Sequence, residues 1–421
     1  MRCNLVIGKL FSLIVLFLFM GVSAIKAEGI YQFGSTLNQP LRSTSTVFIH
    51  VPNAGDLIRV HLCRRGNSGS TVIADISDTT IVSDQYVANT TLANLSSVGA
   101  NIDCADPMTN PLPRTPAIGD IMEFAVPSAG VYAIEFSNDN NVSYDRWDFS
   151  VVPSGTPNAA VDATADSGSV FSYQWIFDTD SFGLAAGATG RMFILVPGGF
   201  PSTNYVWALD LQEFSGNVYE IVANDLGLDA PVSGISAPTS GNNVTNKYPV
   251  YLTYPTAANP SPAPTQFPAL TDTLVFVDDA GNDATISPDG DAIEETGNFE
   301  FTPDVDGTYA ITIDINRDGE FGANDRLLLG RMSANVKSVV NWDGTDAAGA
   351  TVPNASYPVK LELRVGEYHF IAEDAETSGG GTNDDGTGDD DGLTILQATD
   401  ASTLVGTQVY WDDETLLSGS S

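Results

Sequence analysis

From residue 47 onward the chain reads as short apolar runs broken by turn residues. Val47-Phe-Ile-His-Val51 and Leu57-Ile-Arg-Val-His-Leu62 are β-branched or alternate with period two, and clusters of Pro, Gly, Asn and Asp punctuate them. Alternation places successive side chains on opposite faces of a strand, so such runs suit half-buried sheets. Long stretches with a 3.6-residue period are hard to find. The pattern predicts an all-β protein. One run, Arg326-Leu-Leu-Leu-Gly330, is continuous enough to open a helix instead.

A short motif recurs: Gly130-Val-Tyr132-Ala-Ile134, Gly307-Thr-Tyr309-Ala-Ile311, Ala355-Ser-Tyr357-Pro-Val359 and, with one extra residue, Gly216-Asn-Val-Tyr219-Glu-Ile221. In each, a turn releases into a strand whose Tyr and Ile or Val share a face. A buried Tyr near a strand entry is common in immunoglobulin-like sandwiches, although Gly-x-Tyr-x-Ile is also what strand entries look like in general. Four copies suggest tandem β-sandwich units at 28–153, 168–258, 264–335 and 336–421. Pro153-Ser-Gly-Thr-Pro157 and Asn259-Pro-Ser-Pro-Ala-Pro264 read as linkers. The last two units have little chain between them and are expected to share strands or pack as one body. The second is the aromatic one, with Trp175 and Trp207. Gly379 to Gly392 is acidic and low in complexity, which predicts a loop.

Ahead of these units, Arg2 and Lys9 bracket a charged start and Leu10 to Val22 is apolar. Small residues follow at Ala24 and Ala27. Residues 1–27 therefore predict a removable export signal, the apolar run being too short for a comfortable membrane span. No later stretch is long and apolar enough to cross a membrane as a helix. Export makes Cys63 and Cys104 a candidate disulfide, with two unpaired thiols as the alternative.

Charge narrows the partners. With 53 acidic against 17 basic residues, the net charge of −36 argues against nucleic acid or an anionic membrane. It suits a chain that meets divalent cations. The stretch Asp314-Ile-Asn316-Arg-Asp318-Gly319-Glu320-Phe-Gly322-Ala-Asn324-Asp325 is the clearest place for one. Oxygen-bearing side chains stand at loop positions 1, 3 and 5, Gly at 6 and a carboxylate at 12, the arrangement a calcium ion demands. Expected ligands are the side chains of Asp314, Asn316, Asp318 and Asp325 and the Glu320 carbonyl; the alternative is a solvated acidic turn. Alternating Tyr309, Ile311, Ile313 and Ile315 lead into it, so the loop hangs from a strand and is no helix-loop-helix EF-hand. It resembles one half of a dockerin repeat, although dockerins carry two halves and this chain shows one.

Further on, Asn341-Trp342-Asp343-Gly344-Thr-Asp346-Ala-Ala-Gly349-Ala-Thr-Val352-Pro353-Asn354-Ala355-Ser-Tyr357 resembles the immunoglobulin-like domain of flagellar hook-capping proteins, relatives of which occur in secreted bacterial surface proteins. Ala355 stands where that pattern has glycine. The resemblance implies a sandwich that serves as a spacer or assembly unit. Read residue by residue, the same stretch is a hairpin: Asp-Gly turns, a Val-Pro strand entry and Tyr on the core face.

Catalysis finds little support. Of the three histidines, His50, His61 and His369, the first two sit in strand-like runs as core-edge residues. The expectation is an exported, non-enzymatic structural or adhesive protein of the cell surface or matrix, a junction of which calcium stiffens. Its partners would be other surface proteins or further copies of itself. The alternative is a secreted carbohydrate-binding protein in which Trp147, Trp175 and Trp207 stack on sugar rings. The C-terminal Val409-Tyr410-Trp411 segment reads as a strand, either the last of its own unit or a donor to a neighbour's sheet edge.

Overall fold

A computed structural model describes residues 28–29, 41–42, 45–63, 73–96, 121–137, 143–144, 146–156, 168–178, 189–212, 214–227, 245–256, 267–279, 281, 285–291, 293–322, 324–377, 392–400 and 403–405. The expected signal, Cys104, the 259–264 linker, the 379–391 tract and Trp411 lie outside them.

Every regular element among the described residues is a strand. In chain order these are β1 (Glu28–Gly29), β2 (Leu41–Arg42), β3 (Val47–Val51), β4 (Leu57–Cys63), β5 (Ile73–Val82), β6 (Gln85–Ser96), β7 (Ile121–Ala125) and β8 (Gly130–Ser137). There follow β9 (Ser143–Tyr144), β10 (Arg146–Val152), β11 (Ser169–Ser172), β12 (Gln174–Asp178), β13 (Thr189–Pro197), β14 (Asn204–Gln212), β15 (Phe214–Asn224) and β16 (Val250–Tyr251). The rest are β17 (Val275–Asp278), β18 (Gly297–Phe301), β19 (Gly307–Ile313), β20 (Arg326–Met332), β21 (Ser338–Trp342), β22 (Val359–Arg364), β23 (His369–Thr377), β24 (Gly392–Ala398) and β25 (Leu404–Val405). All pairings are antiparallel.

The larger body is built on a ten-stranded sheet, β25-β24-β14-β13-β16-β11-β3-β8-β5-β6. One of its faces meets a four-stranded sheet, β1-β10-β4-β7, and a five-stranded one, β23-β15-β12-β2-β9. The core between them draws Val47, Ile49 and Ile134 from the large sheet, Ile58, Val60, Trp147 and Phe149 from the four-stranded sheet, and Leu41, Trp175 and Ile221 from the five-stranded one. Period two decides the faces. Ile49 pairs with Tyr132 inside this core, whereas the next pair, Phe48 and Ala133, joins a separate cluster on the opposite face. At the centre the Trp147 and Trp175 rings stack with centroids 5.7 Å apart, and Trp175 Nε1 donates to the Val250 carbonyl at 2.9 Å. Each indole removes roughly 150–250 Å² from water on folding, about 4–6 kcal/mol at ~25 cal/mol per Å².

This differs from the four-unit division. Strands of 28–153 and 168–258 interleave in two sheets, since β11 pairs with β3 in the ten-stranded one and β12 with β2 in the five-stranded one. The end of the chain returns to the same body, with β23 on β15 and β24 on β14. Alternation specifies which face of a strand is buried and leaves its partner open, so a linker-like break looks like a boundary even where the sheet crosses it.

Residues 267–365 form the smaller body, inserted between β16 and β23. Two three-stranded sheets, β17-β18-β21 and β20-β19-β22, sandwich Phe299, Phe301, Tyr309, Ile311, Ile313 and Trp342. Strands of 264–335 thus pair with strands of 336–421: β18 with β21, and β19 with β22. The Arg326–Gly330 run is β20 and no helix. The neighbouring β19 offers it a full ladder, and Leu328 and Met332 turn to the core with even spacing.

The two bodies touch through specific contacts. Asp225 accepts both Arg331 guanidinium bonds, at 2.8 Å each, together with Lys247 Nζ at 2.5 Å. Tyr248 donates to the Glu367 carbonyl at 3.1 Å, and Thr308 donates to the Glu367 carboxylate. Gly199 adopts φ +80° where a Cβ would collide with the Asp306 carbonyl and Val365, so only glycine lets the backbones approach this closely.

Candidate metal centre

The loop 314–325 joins β19 to β20 at the end of the smaller body away from Asp225 and Glu367. Asp314 is the first residue past β19, with 0 % of its surface exposed. Its amide donates to the Pro358 carbonyl at 2.9 Å, which fixes the start of the loop against the segment entering β22. Its Oδ2 accepts the Gly319 N–H at 3.0 Å. Gly319 (φ +85°) and Arg317 (φ +59°) are both left-handed, and that conformation turns the Gly319 amide inward. Asp314 Oδ1 remains buried without a hydrogen-bond partner.

Asp325 closes the loop and is also buried. Its Oδ1 accepts the Ile315 N–H at 3.1 Å and its Oδ2 the Gly322 N–H at 2.8 Å. A carboxylate oxygen has two lone pairs, so each still has one to offer. Asn316, Asp318 and Glu320 form the exposed rim. There Asn316 Oδ1 accepts the Asp318 N–H at 2.9 Å and Asp318 Oδ1 the Glu320 N–H at 2.8 Å. Arg317 lies over the Tyr357 ring, 6.0 Å from its centroid. The structure thus places Asp314 and Asp325 inside the loop and the other three expected ligands around its mouth.

Among the described residues neither Asp314 nor Asp325 forms an ion pair. Burying a carboxylate without a counter-charge is costly, and an oxygen with no donor adds to that cost. A hard dication offsets both, and a set of carboxylate, amide and carbonyl oxygens is the chemistry it selects. These donor types are the ones calcium takes, but Asp314, Asp318, Glu320 and Asp325 do not bring three carboxylate oxygens within 4.8 Å of one another. Asp at position 12 reaches less far than Glu, so an ion held here would need the loop to tighten.

Sequence reasoning did not single out Asp289, Asp291 and Glu295, whose carboxylate oxygens lie within 4.8 Å of one another. Asp-x-Asp spacing was the available signal. Both Asp side chains are exposed and serve local turns: Asp289 Oδ1 accepts the Asp291 N–H and Asp291 Oδ1 the Ile293 N–H. Exposed acidic groups of this kind are stable in water alone.

The three tryptophans expected on a sugar platform occupy other places. Trp147 and Trp175 are fully buried, and Trp207 is half-buried with its ring 4.6 Å from that of Tyr368. A cavity of about 320 Å³ on the outer face of the ten-stranded sheet is lined by His50, Tyr86, Phe171, Tyr173 and Tyr251 among others. Phe171, Tyr173 and Tyr251 are too buried to present open ring faces. Burial also holds the His50 imidazole below its ordinary pKa and pushes the Tyr173 hydroxyl up to about 12.

Comparison with protein-family models, with curated proteins and with solved structures finds no match to this chain.

Proposed function

We propose that this chain is an exported structural or adhesive protein in which calcium, bound at the 314–325 loop, locks the smaller β-sandwich. The observation that carries this reading is the buried, unpartnered Asp314 Oδ1 beside a second buried carboxylate with no cation. The ion would take Asp314 and Asp325 from inside and Asn316, Asp318 and the Glu320 carbonyl from the rim. Loading draws the rim over the ion and holds the loop on Tyr357 and Pro358. That closes the seam where β19 and β20 meet the segment entering β22. Without the ion the carboxylates repel and the loop opens.

The wider assignment to the cell surface or matrix rests on the signal-like N-terminus, the acidic composition and the resemblance of 341–357 to hook-capping domains. Within it, a Cys63–Cys104 disulfide accompanies export; a two-dalton mass increase on reduction of the mature protein checks that pairing.

Calorimetric titration of the full chain with calcium tests the site. One site is expected in the sensor-to-extracellular range of about 10⁻⁷ to 10⁻³ M, lost in Asp314→Asn. Identical melting curves in calcium and in EDTA would overturn the reading.

A further inference from the structure

Among the described residues of the larger body, exposed large apolar side chains occur in one place only. Ile81, Val82, Val87 and Leu92 are 62, 54, 41 and 38 % exposed, and all four belong to the β5–β6 hairpin. Between Thr79 and Ser96 the sole ionisable side chain with a charge at neutral pH is Asp84, in a chain of net charge −36. β6 is also the last strand of the ten-stranded sheet. Soluble proteins guard such edges with charge or proline, and Gln85–Ser96 contains neither.

The hairpin is well anchored. Ser83 and Asp84 turn it with φ of 49° and 66°, as a two-residue reversal of this twist requires. Gln85 Nε2 donates to the Asn246 carbonyl at 2.6 Å, Tyr86 N–H to the Tyr173 hydroxyl at 3.0 Å, and Thr79 Oγ1 to the Val131 carbonyl at 2.8 Å. Tyr86 also packs against Phe171. A partner therefore meets a pre-ordered surface and the ordering cost of binding is small.

We propose that the β5–β6 hairpin is a self-association face that packs against the same hairpin of a second copy about a two-fold axis. Charge selects the occupant. Two copies of so acidic a chain repel over most of their surfaces, and the 79–96 part of this hairpin lets them meet with one carboxylate each, Asp75 and Asp78 lying at the base of β5 where they accept bonds from Asn94 and Thr90 of β6. It has no charge pattern by which an ionic partner would be read. Register shifts near Ser77 interrupt the β5–β6 ladder, so side chains rather than a continuous new ladder make the contact. Eighteen residues fall just short of the ~20–30 per side of a standard interface, which makes the dimer weak and concentration-dependent.

The sign of the salt effect follows. Salt weakens an interface built on charge pairs, but here it screens repulsion between the copies and strengthens association. The test is sedimentation velocity of the full chain over a concentration series, in about 20 mM and about 500 mM NaCl, where the Debye length falls severalfold. The expected result is a monomer–dimer equilibrium that shifts toward dimer at high salt. Val87→Glu should lower the association constant at least ~10-fold, and Val87→Ile should preserve it. Circular dichroism verifies that each variant is folded, and Leu92→Glu serves as a second probe should Val87→Glu fail that check. A chain monomeric at every concentration and salt overturns the proposal. So does an open-ended oligomer series, or a dimer that neither Glu variant weakens. Runs in calcium and in EDTA should agree, so this inference and the calcium reading can fail separately.

Discussion

Two buried carboxylates of the larger body, Asp210 and Asp225, meet cations, and two of the smaller body, Asp314 and Asp325, do not. In the larger one, each named case has a partner at hand. Asp210 receives two bonds from Arg191, Asp225 sits between Lys247 and Arg331, and Glu28 accepts the Thr253 hydroxyl and the Val170 amide. In the smaller one, Asp314 and Asp325 receive backbone N–H groups alone. Among the described residues no Lys or Arg pairs with either of them.

That contrast can be broken from either side, and the largest effect should come from the larger body's own packing. Trp175→Ala empties the centre of its core and should cost ~3–5 kcal/mol. Denaturant titration should give the same loss in calcium and in EDTA. Next comes the ion itself. Calcium at about 100 times its dissociation constant should stabilise the smaller body by ~2.7 kcal/mol, seen by scanning calorimetry as a shift confined to one transition and missing from Asp314→Asn.

A smaller effect sharpens the opposite case. Asp225→Asn removes a buried carboxylate from two partly exposed cations, so screening reduces the expected loss to ~1–2 kcal/mol. Burial alone pushes the Asp225 carboxyl up, but hydrogen bonds and charge from Arg331 and Lys247 outweigh it and hold it below the usual carboxylate range. Glu367 is depressed in the same way, burial being outweighed by bonds from His369 and Thr308 and by the charge of Arg364. A lowered folded-state pKa contributes stability above the unfolded value of about 4 and loses it as pH falls through the folded value. The contact between the bodies should therefore hold at neutral pH and loosen below about pH 4, and limited proteolysis across that range checks it. Last, Tyr357→Phe removes the bond from its hydroxyl to the Pro353 carbonyl beside the 314–325 loop. The loss should be about 0.5–1.5 kcal/mol in the apo protein; a larger loss in EDTA than in calcium would tie Tyr357 to the ion-held seam.

What the sequence disclosed was mostly local. Strand entries were readable: Tyr132 and Tyr357 each turn back to the carbonyl four residues upstream, on Ser128 and Pro353. The turn chemistry of 341–357 was readable as well. Gly344 and Gly349 are left-handed, and Asp343 and Asp346 accept the amides that close their turns. The 314–325 loop declared its donor types, but only the fold shows Asp314 and Asp325 to be buried. Pairing across distance stayed hidden, because β3 carries no mark that says β11 will lie beside it. Trp147 and Trp175 illustrate the same limit, since an indole in an alternating run looks alike whether it faces solvent or another indole.

The insertion of residues 267–365 has a mechanical consequence. Both of its connections, after β16 and before β23, return to one body instead of leading onward to a next. It therefore hangs off the load path as a side branch. Tension between residues 28 and 405 would be borne by the ten-stranded sheet first and reach the branch only after β23 and β24 peel away. Pulling with an optical trap should accordingly show the smaller rupture, the one sensitive to calcium, after the larger.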